Sequence, residues 1–487
     1  MGKLKQLASQ TFIYGLSSIV GRLLNYLLVP LYTRVFVPEE YGVITELYTY
    51  VTFLMILLTY GMETGYFFFS KTENNSDKVF STAATSLFTT SSLFVLVGLV
   101  LTPWLAEILD YSSHENFISF FVIILGLDAF TSIPFARLRQ QNKALKFGVF
   151  KLINISINIG LNLFFILYLP KIGKYDSDFG VGYVFLSNLI ASGVSLLLFL
   201  PDFFKVKYSF DFSLLKKMLI YSMPLVISGL AGMINEFFDR VSIKFFYTIP
   251  DTVTNANDYI LSELGIYGAN AKIAVLMTLF IQCFRYAADP FFFSNKGSKD
   301  FNALFANVNK YLWLFGLFIF LGIMFYLDII KHFIRDTYWD GLKVVPYLLI
   351  GHLLVGLVYL QSFWYKLSKK TVYGIYIFLI GSVVTICLNY VFVPKFGYIA
   401  CAVANVVCYL IMLIITFLWG RKYLPCKYDF KNIILYTVLA AGFYFLSLYL
   451  ENLLVNTILL LLFAVVVLLR ENLYFLIKAR IKTLLKK

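Results

Sequence analysis

Residues Gly397–Gly420 read GYIACAVANVVCYLIMLIITFLWG, 24 positions without a charged side chain. As an α-helix this run is about 36 Å long, enough to cross a hydrocarbon core about 30 Å thick. Working outward, similar runs recur along all 487 residues. Hydropathy predicts fourteen, at 10–36, 41–69, 80–106, 115–138, 147–170, 180–201, 214–247, 264–293, 305–331, 342–366, 371–393, 397–420, 432–450 and 453–476. Composition agrees. Hydrophobic residues make up 60% and charged residues 14%, against about 25% charged in a typical soluble domain. So few charges cannot cover a soluble surface of this size. A soluble enzyme and a secreted disulfide scaffold are excluded. So is a β-barrel, which would show alternating segments of roughly ten residues. The expected fold class is an all-α polytopic membrane protein with 14 transmembrane helices.

The net charge of +14 has a membrane reading. With the N-terminus placed inside, 30 of the 41 Lys and Arg fall in inside segments and 8 in outside loops. Such an excess marks the cytoplasmic side, so both termini are expected in the cytoplasm. The C-terminal run Lys478, Arg480, Lys482, Lys486, Lys487 suits an anionic inner leaflet. The N-terminal apolar run has no Ala-x-Ala site and reads as an uncleaved first helix. The longest outside loop, Thr248 to Glu263, is acidic. No loop is large enough for a catalytic domain, so no enzyme activity is expected. The three histidines have no metal-ligand spacing, and no metal or cofactor is expected.

The first six spans resemble the next six. Asn162-Leu-Phe-Phe-Ile-Leu-Tyr-Leu-Pro-Lys-Ile-Gly173 matches Asn389-Tyr-Val-Phe-Val-Pro-Lys-Phe-Gly397. Gly65-Tyr-Phe-Phe-Phe-Ser70 matches Asp289-Pro-Phe-Phe-Phe-Ser294. Six is even, so both halves point the same way and are expected to be related by an axis along the membrane normal. The predicted organisation is a first lobe (1–205) and a second lobe (206–420) around a central cavity. Residues 421–487 add two extra helices and a basic tail.

A charge in mid-span costs about 2.5–3.5 kcal/mol on insertion scales, so it should face a cavity or a partner. Helical spacing groups several such residues. Tyr14, Ser18, Arg22, Asn25 and Tyr32 share one face of span 1; Asp128, Ser132 and Arg139 align in span 4. Lys151, Asn154, Asn158 and Asn162 form a stripe in span 5. In span 7, Asn235, Asp239 and Ser242 share a face, and Glu236 and Arg240 stand one turn apart. Arg285 and Asp289 do the same in span 8. Arg22, Asn25, Ser18, Arg240, Lys272 and Asn158 are the candidate substrate-binding residues. Asp128, Asp239, Glu236, Arg285 and Asp289 are candidates for ion coupling or for plain ion pairs. Glu63 lies off the Glu46 face of its helix and is a candidate to pair across to another helix. Arg22 is deep in span 1 with no acid one turn away. Its bland reading is a structural pair with Asp128 or Asp239.

The segment Val29-Pro-Leu-Tyr-Thr-Arg-Val-Phe-Val-Pro-Glu-Glu-Tyr-Gly42 resembles the first-span signature of Wzx-type polysaccharide-unit flippases. These belong to the MOP superfamily, with MATE exporters and lipid II flippases. Phe238-Asp-Arg240 followed by Leu264-Gly-Ile-Tyr-Gly-Ala-Asn-Ala-Lys-Ile273 is similar to the family's second pattern, here with a longer acidic insert between the two pieces. The resemblance implies two six-helix lobes working by alternating access. It also implies translocation of an undecaprenyl-pyrophosphate-linked oligosaccharide from the cytoplasmic to the outer leaflet of a bacterial inner membrane, for surface polysaccharide such as O-antigen or capsule. Its partners would be that lipid-linked substrate, membrane lipids and the glycan polymerase machinery. A coupling ion (H+ or Na+) or the membrane potential would drive the cycle. Three other readings remain: a MATE-like exporter of small cationic or amphipathic compounds, a membrane-embedded glycan polymerase or ligase, and a non-transporting scaffold.

Overall fold

A computed structural model describes residues 20–21, 23–72, 76–203, 209–251, 253–295, 298 and 300–471. Among them the regular structure is helical throughout. The α-helices of seven residues or more are α1 Val29–Val35, α2 Pro38–Thr59, α3 Met62–Thr72, α4 Ser76–Val100, α5 Thr102–Ile108, α6 Glu115–Gln140, α7 Ala144–Leu163 and α8 Gly182–Phe203. They continue with α9 Phe212–Phe246, α10 Ala256–Asn295, α11 Phe301–Phe325, α12 Val345–Gln361, α13 Val372–Phe396, α14 Tyr398–Gly420, α15 Phe430–Leu450 and α16 Leu453–Arg470. Thirteen helical stretches among the described residues are long and apolar enough to cross a membrane. Of the predicted first span, 10–36, residues 10–19 and 22 lie outside the described residues. The protein is a multi-pass membrane protein.

Two helix boundaries differ instructively from the hydropathy reading. The acidic connection 248–263 is helical from Ala256 onward. Asn255 starts it: its Oδ1 accepts from Asp258 N at 3.5 Å, and its Nδ2 donates to Asp258 Oδ2 at 2.6 Å. A polar cap of this kind supports helix before any apolar pattern begins. The second span bends between α2 and α3, where Tyr60 and Gly61 take φ of 35° and 66°.

Helices α2, α4, α6, α7 and α8 pack together as the described part of a first lobe; α9 to α14 form the second. The Pro-Lys-x-Gly repeat is visible in both. The turns after α7 run through Pro170–Ile172 to Gly173 (φ 65°), and α13 ends at Gly397 (φ 54°). A positive φ is cheap only for glycine, so each span ends at a glycine, with ψ of 23° at Gly173 and −141° at Gly397.

Because successive spans reverse direction, the turns fall at two ends. One end carries the turns near 141–143, 209–211, 368–371 and 421–429 and most of the basic residues; it is called the basic end below. There Lys78 Nζ meets Asp211 Oδ2 at 2.6 Å, and Asp211 caps α9 by accepting from Leu214 N at 3.1 Å. The Lys78 hydrogen bond, then that backbone bond, holds the Asp211 carboxyl below the usual range. The last two helices are pinned at the same end. Lys310 Nζ on α11 lies 2.6 Å from Glu471 Oε2 and 3.2 Å from Asp429 Oδ2, and the Tyr436 hydroxyl donates to Glu471 Oε1 at 2.7 Å. Midway, Trp313 Nε1 donates to Thr437 Oγ1 at 2.8 Å.

Candidate substrate path and the seam between the lobes

The two lobes meet most closely where α2 crosses α10. Small residues let the backbones touch. A Cβ added at Gly42 would lie 1.9 Å from Leu261 O, and one at Gly265 would lie 1.9 Å from Pro38 O. A Cβ at Gly268 would stand 2.5 Å from Thr45 Oγ1. Further bonds join the lobes at the end opposite the basic one. The Tyr338 hydroxyl donates to Phe36 O at 2.9 Å. Arg335 donates to Arg34 O at 3.4 Å, and Arg34 to His332 O at 3.5 Å. Tyr26 stacks on Phe333 at 4.5 Å. The two motifs singled out in the sequence, 29–42 and 264–273, are therefore the two faces of one seam.

At this seam a carboxylate and a lysine from different lobes are buried together. Glu46 on α2 is 2% exposed and Lys244 near the end of α9 is 8% exposed. Lys244 Nζ stands 3.7 Å from Glu46 Oε2 and 3.8 Å from Asp110 Oδ2, and donates to Asn257 Oδ1 at 2.7 Å. Glu46 also accepts from the hydroxyls of Tyr50 and Tyr111, each at 2.8 Å. Removing one partner of a buried pair costs about 3–5 kcal/mol, because the other charge is left buried without a counter-charge. Sequence reasoning missed it, counting Lys244 with the outside basic residues. The available signal was Glu46 itself, an acid within an apolar span with Tyr50 one turn on.

Deeper along α9, Arg240 Nη1 pairs with Asp239 Oδ1 at 2.9 Å. From Glu236 it meets the backbone carbonyl at 3.5 Å. Its guanidinium lies over the rings of Phe237 (5.1 Å) and Tyr267 (5.6 Å), and the Tyr267 hydroxyl donates to Asp239 Oδ2. The Asp-Arg and Gly-x-Tyr pieces of the second motif thus bond to each other. Lys272 is half-buried in the middle of α10. Its charged neighbour is Arg240, another cation. The half-buried His352 of α12 also feels the Arg240 charge.

The first lobe has its own polar interior. Glu63 pairs with Arg139 across from α3 to α6. Asp128 shares a hydrogen bond with Ser192 and lies within electrostatic reach of Lys151, whose Nζ sits 4.1 Å from the Phe135 ring centre. Asn158 accepts from Asn162 Nδ2 through its carbonyl at 2.8 Å and its side chain at 3.1 Å. Asn162 in turn accepts from the Tyr32 hydroxyl at 2.8 Å. Tyr32, from the predicted polar face of span 1, therefore meets the span 5 stripe.

Of the other predicted residues, Arg22 and Ser18 lie outside the described residues, as does the Asp289 side chain. Asn25 is exposed just before α1. Arg285 is exposed, its guanidinium 4.3 Å from the Tyr359 ring centre. The second-lobe group (Arg240, Asp239, Lys272) and the first-lobe group (Asp128, Asn158) sit in separate lobes. Four buried oxygens lack a hydrogen-bond partner in α9, α13 and α14: Asn235 Oδ1, Thr385 Oγ1, Asn389 Oδ1 and Asn405 Oδ1. Oxygens of this kind suit a hard cation. Among the described residues no group of three His, Cys, Asp or Glu could hold a metal.

Two spaces open beside α2, one between the lobes and one within the first lobe. An apolar cavity of about 610 Å³ lies between α2, α4, α6 and α9, with Tyr50, Phe94, Phe121, Phe238 and Phe245 in its wall. A polar one of about 840 Å³, at the end opposite the basic end, is lined by Glu40, His114, Glu115, Asp176 and Asp178 among others.

Comparison with known proteins places this geometry. Residues 7–296 match the family described as polysaccharide biosynthesis protein. A structure of the lipid II flippase MurJ in an inward closed conformation is similar, with a TM-score of 0.72 at 16% identity, over 94% of this chain and 99% of that one. An inward-facing multidrug resistance MATE family transporter of the MOP superfamily superposes with a TM-score of 0.62 at 15% identity, over 83% of this chain and 94% of that one. No curated protein matches the sequence.

Proposed function

The chain belongs to the polysaccharide biosynthesis protein family of the MOP superfamily, and from that premise we propose that it flips an undecaprenyl-pyrophosphate-linked oligosaccharide across the bacterial inner membrane. The basic end faces the cytoplasm in this reading, and the seam closes the outer face. The substrate enters from the cytoplasmic leaflet and leaves to the outer leaflet when the lobes rock apart.

The observation that carries the reading is Lys272. It is a half-buried lysine in mid-helix whose charged neighbour is a cation, while Asp239 already serves Arg240. A lysine so placed is stabilised by an anionic ligand, and a pyrophosphate is such a ligand. Half-buried polar side chains such as Asn158 offer hydrogen bonds to sugars. The prenyl chain needs no polar path and can stay against apolar surface such as the 610 Å³ cavity wall. Arg22 is assigned to the pyrophosphate, with Lys272 and Arg240 as supporting cations. An exporter of cations would instead need an unpaired acid at this place. An ion gradient or the membrane potential supplies the driving force.

Lipid extraction from a strain lacking this protein is the test. The expected result is accumulation of a lipid-linked oligosaccharide with loss of the surface glycan. A deletion strain with normal glycan and no accumulated lipid would overturn the assignment.

A further inference from the structure

The two faces of the seam continue past the point where the backbones touch. On α10 the residues that meet α2 are Leu261, Gly265 and Gly268. The same helical spacing brings Lys272 next, one turn nearer the basic end. On α2 the matching residues are Pro38, Gly42 and Thr45, and the spacing continues to Thr49 and Thr52. Both helices start at the end opposite the basic one, so the two faces run side by side and Lys272 is turned towards the α2 threonines. Thr49 is buried, whereas Thr52 and Lys272 are half-buried. The polarity of these threonines is set by their own helix. Thr45 Oγ1 donates to Tyr41 O at 3.0 Å, Thr49 Oγ1 to Thr45 O at 2.7 Å and Thr52 Oγ1 to Tyr48 O at 2.9 Å. A hydroxyl has one hydrogen, so each oxygen has only lone pairs left to offer. It accepts from a sugar hydroxyl or an amide N–H and has nothing to give a phosphate oxygen. Threonines bonded in this way are by themselves ordinary helix surface. What sets this face apart is the cation opposite. The Lys272 ammonium donates and cannot accept, and its charged neighbour is Arg240.

We propose that Thr52 is a specificity-determining residue of the first lobe: it accepts a hydrogen bond from the sugar joined to the pyrophosphate, while Lys272 of the second lobe holds the phosphates. The head group is then bound by both lobes at once, each reading a different chemistry. A prenyl pyrophosphate without its glycan brings no sugar donor to Thr52, so the protein prefers a loaded carrier to an empty one. This assignment rests on the transport reading above and deepens it, by naming which part of the substrate each lobe recognises.

The test is binding by the purified full-length chain in lipid nanodiscs, with two probes. One is undecaprenyl pyrophosphate; the other is the lipid-linked oligosaccharide extracted from the strain lacking this protein. Thr52→Val keeps the shape and removes the hydroxyl. It should weaken binding of the glycosylated lipid about fivefold, the worth of one neutral hydrogen bond, and leave the bare pyrophosphate lipid unchanged. Thr52→Ser restores the hydroxyl and should bind both as the wild type does. Lys272→Met should weaken both lipids alike, by about tenfold or more, since it removes a charged donor. A merely structural Thr52 moves both affinities together. A Thr52→Val protein that keeps the wild-type ratio of the two affinities overturns the proposal, and so does a Thr52→Ser protein that behaves like Thr52→Val. Unchanged binding of both lipids by Lys272→Met removes the phosphate half and overturns it as well. A strain that accumulates no lipid-linked oligosaccharide overturns the transport reading and this assignment with it. Accumulation together with an unchanged ratio in Thr52→Val overturns this assignment alone.

Discussion

Gly265→Val should lower surface glycan export by more than about tenfold while the protein remains in the membrane at normal abundance. The reason is the α2–α10 crossing. A Cβ at Gly265 would sit 1.9 Å from the Pro38 carbonyl oxygen and 2.9 Å from Gly42 N. Those atoms are backbone and cannot rotate away as a side-chain tip could. Overpacking costs about 1–3 kcal/mol in ordinary cores, and contact with backbone on a crossing helix puts this site at the upper end. That strain falls on the seam-shut state and is relieved when the lobes part. Roughly 3 kcal/mol shifts a two-state equilibrium about 150-fold. A cycle that cannot return to the shut state stalls. Gly42→Val should act alike, since its Cβ would meet Leu261 O at 1.9 Å. By contrast, Gly322→Ala, where nothing lies within 4 Å of the added atom, should export normally. Wild-type export in Gly265→Val would contradict the seam as a moving part. Immunoblotting of membranes alongside glycan staining checks both halves of the expectation.

Arg22→Ala should abolish export at normal protein level, and Arg22→Lys should retain part of it. A guanidinium offers a planar fork of donors that matches two phosphate oxygens, whereas an ammonium acts as a point charge. Arg22 lies on the same predicted face as Tyr32, and Tyr32 reaches the span 5 stripe through Asn162. The competing structural role needs an acid partner. Asp239 is paired with Arg240, and Asp128 has Ser192 and Lys151. That role predicts loss of folded protein in Arg22→Ala, and rescue when Asp128 or Asp239 is also neutralised. Export assays and membrane abundance, measured together, separate the two. Wild-type export in Arg22→Ala refutes the functional role.

The spans were legible because run length is a local property. Twenty or so apolar residues in a row read as a membrane helix wherever they fold, and the structure has thirteen such stretches among its described residues. Ends set by a local residue were legible too, as at Gly173 and Gly397. The start of α10 was not. Its first turns are polar, and the Asn255–Asp258 cap replaces the hydropathy signal there.

Within the site, what depends on one helix face was readable and what depends on two lobes was not. Glu63 was expected to pair with another helix, and it meets Arg139. The resemblance to the family's second pattern grouped Asp239, Arg240 and Tyr267, but only the fold shows the Tyr267 hydroxyl on Asp239. Glu46 and Lys244 are far apart in sequence, and each alone looks like a residue near a span end. Their meeting depends on how α2, α9 and α10 converge, which helical periodicity within one segment cannot encode.

The central claim is that the lipid-linked glycan crosses the membrane through this protein. The most direct measurement is its sidedness. Spheroplasts with metabolically labelled glycan, with and without depletion of the protein, are treated with periodate under conditions where it does not enter. The lipid-linked fraction is then extracted and scored for oxidised sugar. With the protein present, the labelled lipid-linked glycan should be open to oxidation from outside. After depletion it should accumulate and stay protected until the membrane is permeabilised. Equal oxidation of the lipid-linked glycan in both, with no protected pool after depletion, would contradict the account.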